Sequence, residues 1–276
     1  MSASRIKNLI LLILLLTVVC LLIAVVPIRY AQVQSRRAEN EQLSLLLAQY
    51  DIALDPDIIP ESEILYSVEL AQSEPSAAAA ALLGQDAVKT EDSTRYESTF
   101  TGAAGSVSFA TGGAISAEII GRERTGNVER DARKVLRAIG FQPDTLQTVR
   151  SAGGEYTVTA TQSLLGTAVF SDGLRLQYQD GALCAMEGIF YPGTAEMTRI
   201  SEQTCISFAD ALVQLLSRRN ELGWVGSGVL RTTQGFLPSE SASGAARFVP
   251  CWRIDTDTES FLINGITREV RRIEEG

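Results

Sequence analysis

Apolar positions change their spacing three times along the chain, and each change predicts a different kind of element. Leu9 to Val26 is an unbroken run of eighteen residues without a charge. At about 1.5 Å per residue it reaches about 27 Å, close to the hydrocarbon thickness of a bilayer. It leads into Pro27, Ile28, Arg29 and Tyr30, which offer no small-x-small cleavage site, so residues 9–28 read as an uncleaved transmembrane anchor. Residues 1–8 carry Arg5 and Lys7 and no acid, which predicts a cytoplasmic N-terminus and an extracytoplasmic C-terminal bulk. Residues 29–50 contain neither glycine nor proline and read as a stalk helix. Its incomplete stripe of Val33, Leu43, Leu46 and Leu47 is a natural seat for a partner helix. It is too short in heptads for a coiled coil.

The next spacing is irregular. Two prolines, Pro56 and Pro60, end the stalk and carry Ile52, Leu54, Ile58 and Ile59 into an extended segment, and 63–70 alternates as a strand. Pro75 before the alanine run and Gly84 after it predict a short helix, with a flexible linker as the alternative. Residues 51–94 therefore read as a connecting segment.

From residue 95 the period becomes two. Phe100, Val107, Phe109, Ile115, Ala117 and Ile119 alternate with polar residues, and Gly112-Gly113, Asp180-Gly181 and Asn264-Gly265 stand between alternating runs as hairpin turns. Two helical stripes interrupt the strands. The first has Asn127 as N-cap, Glu129 and Asp131 in its first turn, and Val128, Ala132, Val135, Leu136 and Ile139 on one face. The second opens at Ser207 with Asp210 three residues on, carries Phe208, Leu212, Leu215 and Leu216, and stops near Gly223. The two stripes superpose at a constant offset, and about four strands follow each. The predicted fold class is therefore α+β: an N-terminal transmembrane helix and stalk, then two helix-on-antiparallel-sheet modules over 95–195 and 196–276.

Charge and chemistry narrow the function. The chain carries a net charge of −9 and no histidine, so nucleic acid is disfavoured as a partner and imidazole-based catalysis and zinc helices are absent. Of its four cysteines, Cys20 lies in the anchor, and Cys184, Cys205 and Cys251 show no C-x-x-C spacing. They read as free buried thiols, with one bridged pair as the alternative. No phosphate loop precedes a helix. The acids Asp255, Asp257 and Glu259 alternate, yet the stretch lacks the glycine and twelfth-position glutamate of a calcium loop. It reads as a strand-to-strand turn, with a cation site as the alternative. Arg130, Arg133, Lys134 and Arg137 share one helix face, either solvated or docking an acidic partner. No catalytic, cofactor or metal residue is implied. The candidate partner contacts are Leu43, Leu46 and Leu47 with Arg130, Arg133, Lys134 and Arg137.

The order of tail, anchor, stalk, the I-x-L-D-x-x-x-I-P segment from Ile52 to Pro60, and the closing VPCWRIDTDTESFLINGITREV resembles the YycH/YycI accessory proteins of Gram-positive bacteria. The P-x-W-R-I ending with Asn264-Gly265 also looks like PepSY-type domains, although Arg268 stands where a glycine is more usual before Glu269. The resemblance implies a single-pass membrane protein that modulates a WalK-type sensor histidine kinase controlling cell-wall homeostasis. A PepSY-like binding or protease-inhibitory module tethered to the cell surface is the alternative. In either case the protein works by contact with another protein, without cofactor or turnover.

Overall fold

The computed structural model describes residues 14–17, 34–35, 37–71, 75–92, 97–151, 153–192, 196–240 and 245–273. Strand accounts for 49% and helix for 25%, so the protein is predominantly β. In chain order, helix α1 (37–48) is followed by β1 (Ala53–Leu54), β2 (Tyr66–Leu70), α2 (Ser76–Leu83), β3 (Val88–Asp92), β4 (Glu97–Gly102), β5 (Gly105–Ala110) and β6 (Ala114–Glu123). Helix α3 (Val128–Ala138) then precedes β7 (Pro143–Arg150), β8 (Tyr156–Leu164), β9 (Thr167–Gln179), β10 (Ala182–Ile189) and β11 (Met197–Thr204). Helices α4 (Phe208–Ser217) and α5 (Arg219–Leu222) lead into β12 (Gly228–Glu240), β13 (Ala246–Thr256), β14 (Ser260–Asn264) and β15 (Val270–Ile273).

All fifteen strands join one sheet, whose main path runs β11-β2-β13-β12-β9-β10-β6-β5-β4-β3. This corrects the expected division into an anchor, a stalk and two separate helix-on-sheet modules. Among the described residues no helix is long and apolar enough to cross a membrane, contrary to the expected membrane-spanning helix. The predicted span over 9–28 lies outside the described residues, apart from the helical stretch 14–17. Nor is the last part of the predicted stalk free-standing. Leu47 on α1 is fully buried with Ile52, Leu54, Phe208 and Trp252, and Leu43 packs against the same cluster.

Three cores explain why the halves do not separate. The first lies under α2 and α3, where Ala79, Leu82, Val135 and Leu136 meet Val107, Val158, Leu174 and Leu176. The second lies under α1 and α4, closed by the edge-to-face pair of Phe208 and Trp252 at 5.4 Å. The third sits at the junction and draws on both sides: Leu70, Leu164, Val169, Tyr191, Phe236 and Phe248. At that junction β12 runs parallel to β9, with Gly235 opposite Ala168; a Cβ on Gly235 would come within 2.6 Å of the Ala168 carbonyl. Beside it the Gln162 amide ties β8 to the end of β10, donating to the Tyr191 carbonyl and accepting from its N–H at 3.2 Å.

The helices form where their caps and stripes predict. Asn127 accepts from the Arg130 N–H and Ser207 from the Asp210 N–H, each closing the first turn. Asp131 does more than sit in a positive first turn: it is buried, accepts from the Thr125 N–H and hydroxyl at 2.9 Å, and accepts from the Tyr178 hydroxyl at 3.0 Å. That network ties α3 to β9.

Turn chemistry holds at two of the three predicted hairpins. Gly112 and Gly113 (φ 76° and 86°) and Asp180 and Gly181 (φ 51° and 81°) all take the left-handed conformation of a primed turn. The third differs. Asn264 accepts from the N–H groups of Ile266 and Thr267, and the connection runs on to Arg268, which takes the left-handed conformation at φ 63°. A glycine would hold that position without steric cost. Gly265 serves another purpose: a Cβ there would lie 2.4 Å from the Cys205 sulfur.

Candidate interaction site

A cleft of about 590 Å³ opens between α1, the start of α4 and the extended segment 59–62. Its apolar wall is Leu43, Leu46, Ile59, Pro60, Phe208 and Ala209; Arg37, Glu39 and Glu61 stand among the polar residues around it. The local sequence places each wall. Ser207 starts α4 and turns Phe208 into the core, so Ala209 faces the opening. The 3-10 turn Pro56–Ile58, capped by Asp55, carries Ile59 and Pro60 across to α1, where the Asn40 amide donates to the Pro56 carbonyl at 3.4 Å. At the far end of α1, Arg219 donates to the carbonyls of Tyr50, Trp224 and Gly226, fixing the helix to the second core.

Of the predicted contacts, Leu43 and Leu46 meet in this cleft. Leu46 is 40% exposed. Leu47 is taken up by the protein's own core and is not available to a partner. Leu45 on α1 and Val213 on α4, one turn after Ala209, are further exposed apolar residues of the same two helices. Periodicity could have nominated Val213, the one large apolar residue of α4 off its buried stripe. Ile59 and Pro60 had no such signal, because their place depends on a turn that brings 59–62 back to α1.

The basic residues lie elsewhere, on the outer face of α3. Arg130, Lys134 and Arg137 are exposed, and Arg133 pairs with Glu129 at 3.1 Å. The first three make no ion pair among the described residues.

The three alternating acids do not converge. Asp257 accepts from the Ser227 N–H and hydroxyl, both at 2.9 Å, and these bonds hold its carboxyl below the usual carboxylate range. Asp255 accepts from Arg253 and from the Ser260 hydroxyl, each at 2.7 Å. Glu259 lies 3.0 Å from Arg272. Meanwhile Thr256 closes the turn on the Glu259 carbonyl. Each carboxylate is committed to a different neighbour, as a strand connection requires, and no group of three metal-binding side chains occurs among the described residues.

The thiols are equally quiet. Cys184, Cys205 and Cys251 are free. Burial pushes the Cys205 thiol up, and burial followed by the nearby Cys205 pushes Cys251 up further. Both therefore stay protonated at neutral pH, the wrong state for a nucleophile. The cleft offers an apolar wall of a size to take a side chain.

No family model matches the chain. No curated protein matches it either. Among solved structures it is similar to an uncharacterized protein from Eubacterium rectale ATCC 33656, at a TM-score of 0.49 and 8% identity over 76% of this chain and 87% of that one. A distant structural neighbour is the Bacillus megaterium YpeB C-terminal domain, with a TM-score of 0.34 and 14% identity over 85% of this chain and 98% of that one.

Proposed function

We propose that this chain is a regulatory interaction protein that acts by contact, taking an apolar segment of a partner protein into the cleft between α1 and α4. One observation supports this above the others: Leu43, Leu46, Ile59, Pro60 and Ala209 line a cleft on an otherwise acidic protein, while Asp255, Asp257 and Glu259 are each bonded to a different neighbour. Concave apolar surfaces with a polar rim are where partner side chains anchor. The YycH/YycI resemblance supplies the kind of partner, a WalK-type sensor histidine kinase. Regulation then follows from unequal affinity: a protein that binds one signalling state of the kinase more tightly than the other shifts the population toward it.

The test is binding of the purified chain to a purified WalK-type kinase, with Leu46→Asp compared with Leu165→Asp. Leu165 is an exposed turn residue and serves as the control. A carboxylate placed in an apolar contact costs about 2 kcal/mol or more, so Leu46→Asp is expected to weaken binding about 30-fold or more. Equal loss at both positions, or no binding by the native chain, overturns the proposal.

A further inference from the structure

Of the longer terminal strands of this sheet, β11, β3 and β15 are blunted and β7 is not. At β11 the register jumps between Arg199 and Thr204, and the Arg199 guanidinium bonds the carbonyls of Ser201 and Glu202, closing that edge on itself. β3 carries Lys89, and β15 carries Arg271 and Arg272. Bulges and charges of this kind keep sheet edges from recruiting foreign strands. β7 is different. Among the described residues it pairs only with β8, in unbroken register from Leu146↔Ala160 to Arg150↔Tyr156. Its first residues Pro143 and Asp144 precede a register shift and Arg150 closes it, but between them Leu146, Gln147, Thr148 and Val149 are uncharged and regularly paired, and Val149 is 56% exposed.

The ladder phase shows which groups are open. The Ser151 N–H donates to the Glu155 carbonyl at 2.9 Å. Antiparallel pairs alternate between hydrogen-bonded and non-bonded, so Val149 and Gln147 bond β8. The N–H and C=O groups of Leu146, Thr148 and Arg150 point away from it. Among the described residues they have no strand partner, and they form a row of donors and acceptors at the spacing an added strand needs.

Charge selects the occupant. Arg124 and Arg150 lie over the Tyr156 ring at the hairpin end of this edge, 5.9 and 5.5 Å from its centre. Helix α3 packs on β7 and β8 and turns Arg130, Lys134 and Arg137 outward. In a chain of net charge −9, the bases Arg124, Arg150, Arg130, Lys134 and Arg137 gather on β7, β8 and α3 and their connections against the acids Asp144 and Glu155, which favours an acidic occupant. We infer that β7 is a strand-addition site for an extended, acidic segment of a partner protein, with acids at alternate positions facing the α3 side of the sheet. This goes beyond the cleft reading and shares no residue with it, so failure of either leaves the other standing.

The probe is a labelled, acetylated peptide alternating glutamate with threonine or valine over eight residues. It is titrated by fluorescence anisotropy into the whole chain at low salt, with amide hydrogen exchange read in parallel. Saturable binding is expected, with protection of the Leu146, Thr148 and Arg150 amides. The same peptide with lysine for glutamate, or with alternate backbone nitrogens methylated, is expected not to bind. Thr148→Pro removes an outward donor that the fold itself does not use and should weaken binding about tenfold. No saturable binding, equal binding of the methylated peptide, or protection that maps away from β7 overturns the inference. The methylated peptide decides the matter even if Thr148→Pro fails to fold.

Discussion

Replacing Tyr178 with phenylalanine tests the joint between α3 and the sheet, and with it the unity of the fold. Tyr178 is 1% and Asp131 3% exposed. One carboxylate oxygen of Asp131 accepts twice from Thr125, and the other accepts the Tyr178 hydroxyl at 3.0 Å. Tyr178→Phe keeps the ring and its packing but removes that donor, leaving a buried carboxylate oxygen short of a partner. A hydrogen bond to a charged group contributes about 1.5–3 kcal/mol, so a loss of about 2 kcal/mol is expected. For a protein of this size that lowers Tm by about 4–8 °C. Urea denaturation should be followed by far-UV circular dichroism and by tryptophan fluorescence together. Both tryptophans, Trp224 and Trp252, lie in the second core, whereas Tyr178 lies in the first. If the continuous sheet and the junction core make one cooperative unit, the two probes shift together. A shift below about 0.5 kcal/mol refutes the hydrogen-bond argument. A shift in circular dichroism with unmoved fluorescence refutes the unity of the fold.

The same pair has a pH signature. Burial, then the charge of Asp131, raises the Tyr178 phenol well above its ordinary value. A group whose folded pKa is raised contributes stability that is complete below its unfolded pKa and is lost as pH rises past it. The stability difference between the wild type and Tyr178→Phe should therefore hold at neutral pH and shrink above about pH 10. The buried thiols of Cys205 and Cys251 act in the same direction. They are common to both proteins and cancel in the comparison.

Leu47→Ala should cost about 2–5 kcal/mol in chemical denaturation, the range for emptying a buried leucine site, whereas Leu45→Ala, 67% exposed, should be close to neutral; equal effects would mean that α1 is not docked. Asp257→Ala should lower the melting temperature at pH 7 by removing the acceptor for Ser227. Because that carboxyl is held low, the difference from wild type should vanish as pH falls through the acid range, and a difference that persists at pH 2 would refute the assignment. Gly173→Ala should prevent or severely weaken folding, seen as loss of soluble protein or of a cooperative transition, because Gly173 sits where the register of β9 against β8 jumps from Val169 to Leu174, has φ 68°, and a Cβ there would lie 2.1 Å from the Ala160 carbonyl; native-like stability of that variant would contradict this close approach.

Local rules along the chain determined a good deal. Asn127 and Ser207 begin helices because their side chains can take the orphan N–H groups a few residues away, and Asp180-Gly181 turns because its backbone tolerates positive φ. After Ile254, Asp255 and Thr256 turn the chain by bonding Ser260 and the Glu259 carbonyl in their own neighbourhood. These are interactions within a few residues, so their spelling in the sequence is enough. Tertiary structure decided the rest. That α1 lies on the second core, and is not a free stalk, depends on Leu47 meeting Phe208 and Trp252 across the chain. That Asp131 is a buried anchor depends on a tyrosine 47 residues away. That two similar halves merge into one sheet depends on the parallel contact of Gly235 with Ala168 and on a junction core drawn from both. The cleft and the open edge of β7 belong to this second class. A concavity and an unpaired edge are properties of what does and does not come to lie beside a segment, and that is settled by long-range packing, where many pairings satisfy the same local pattern and only one buries all three cores together.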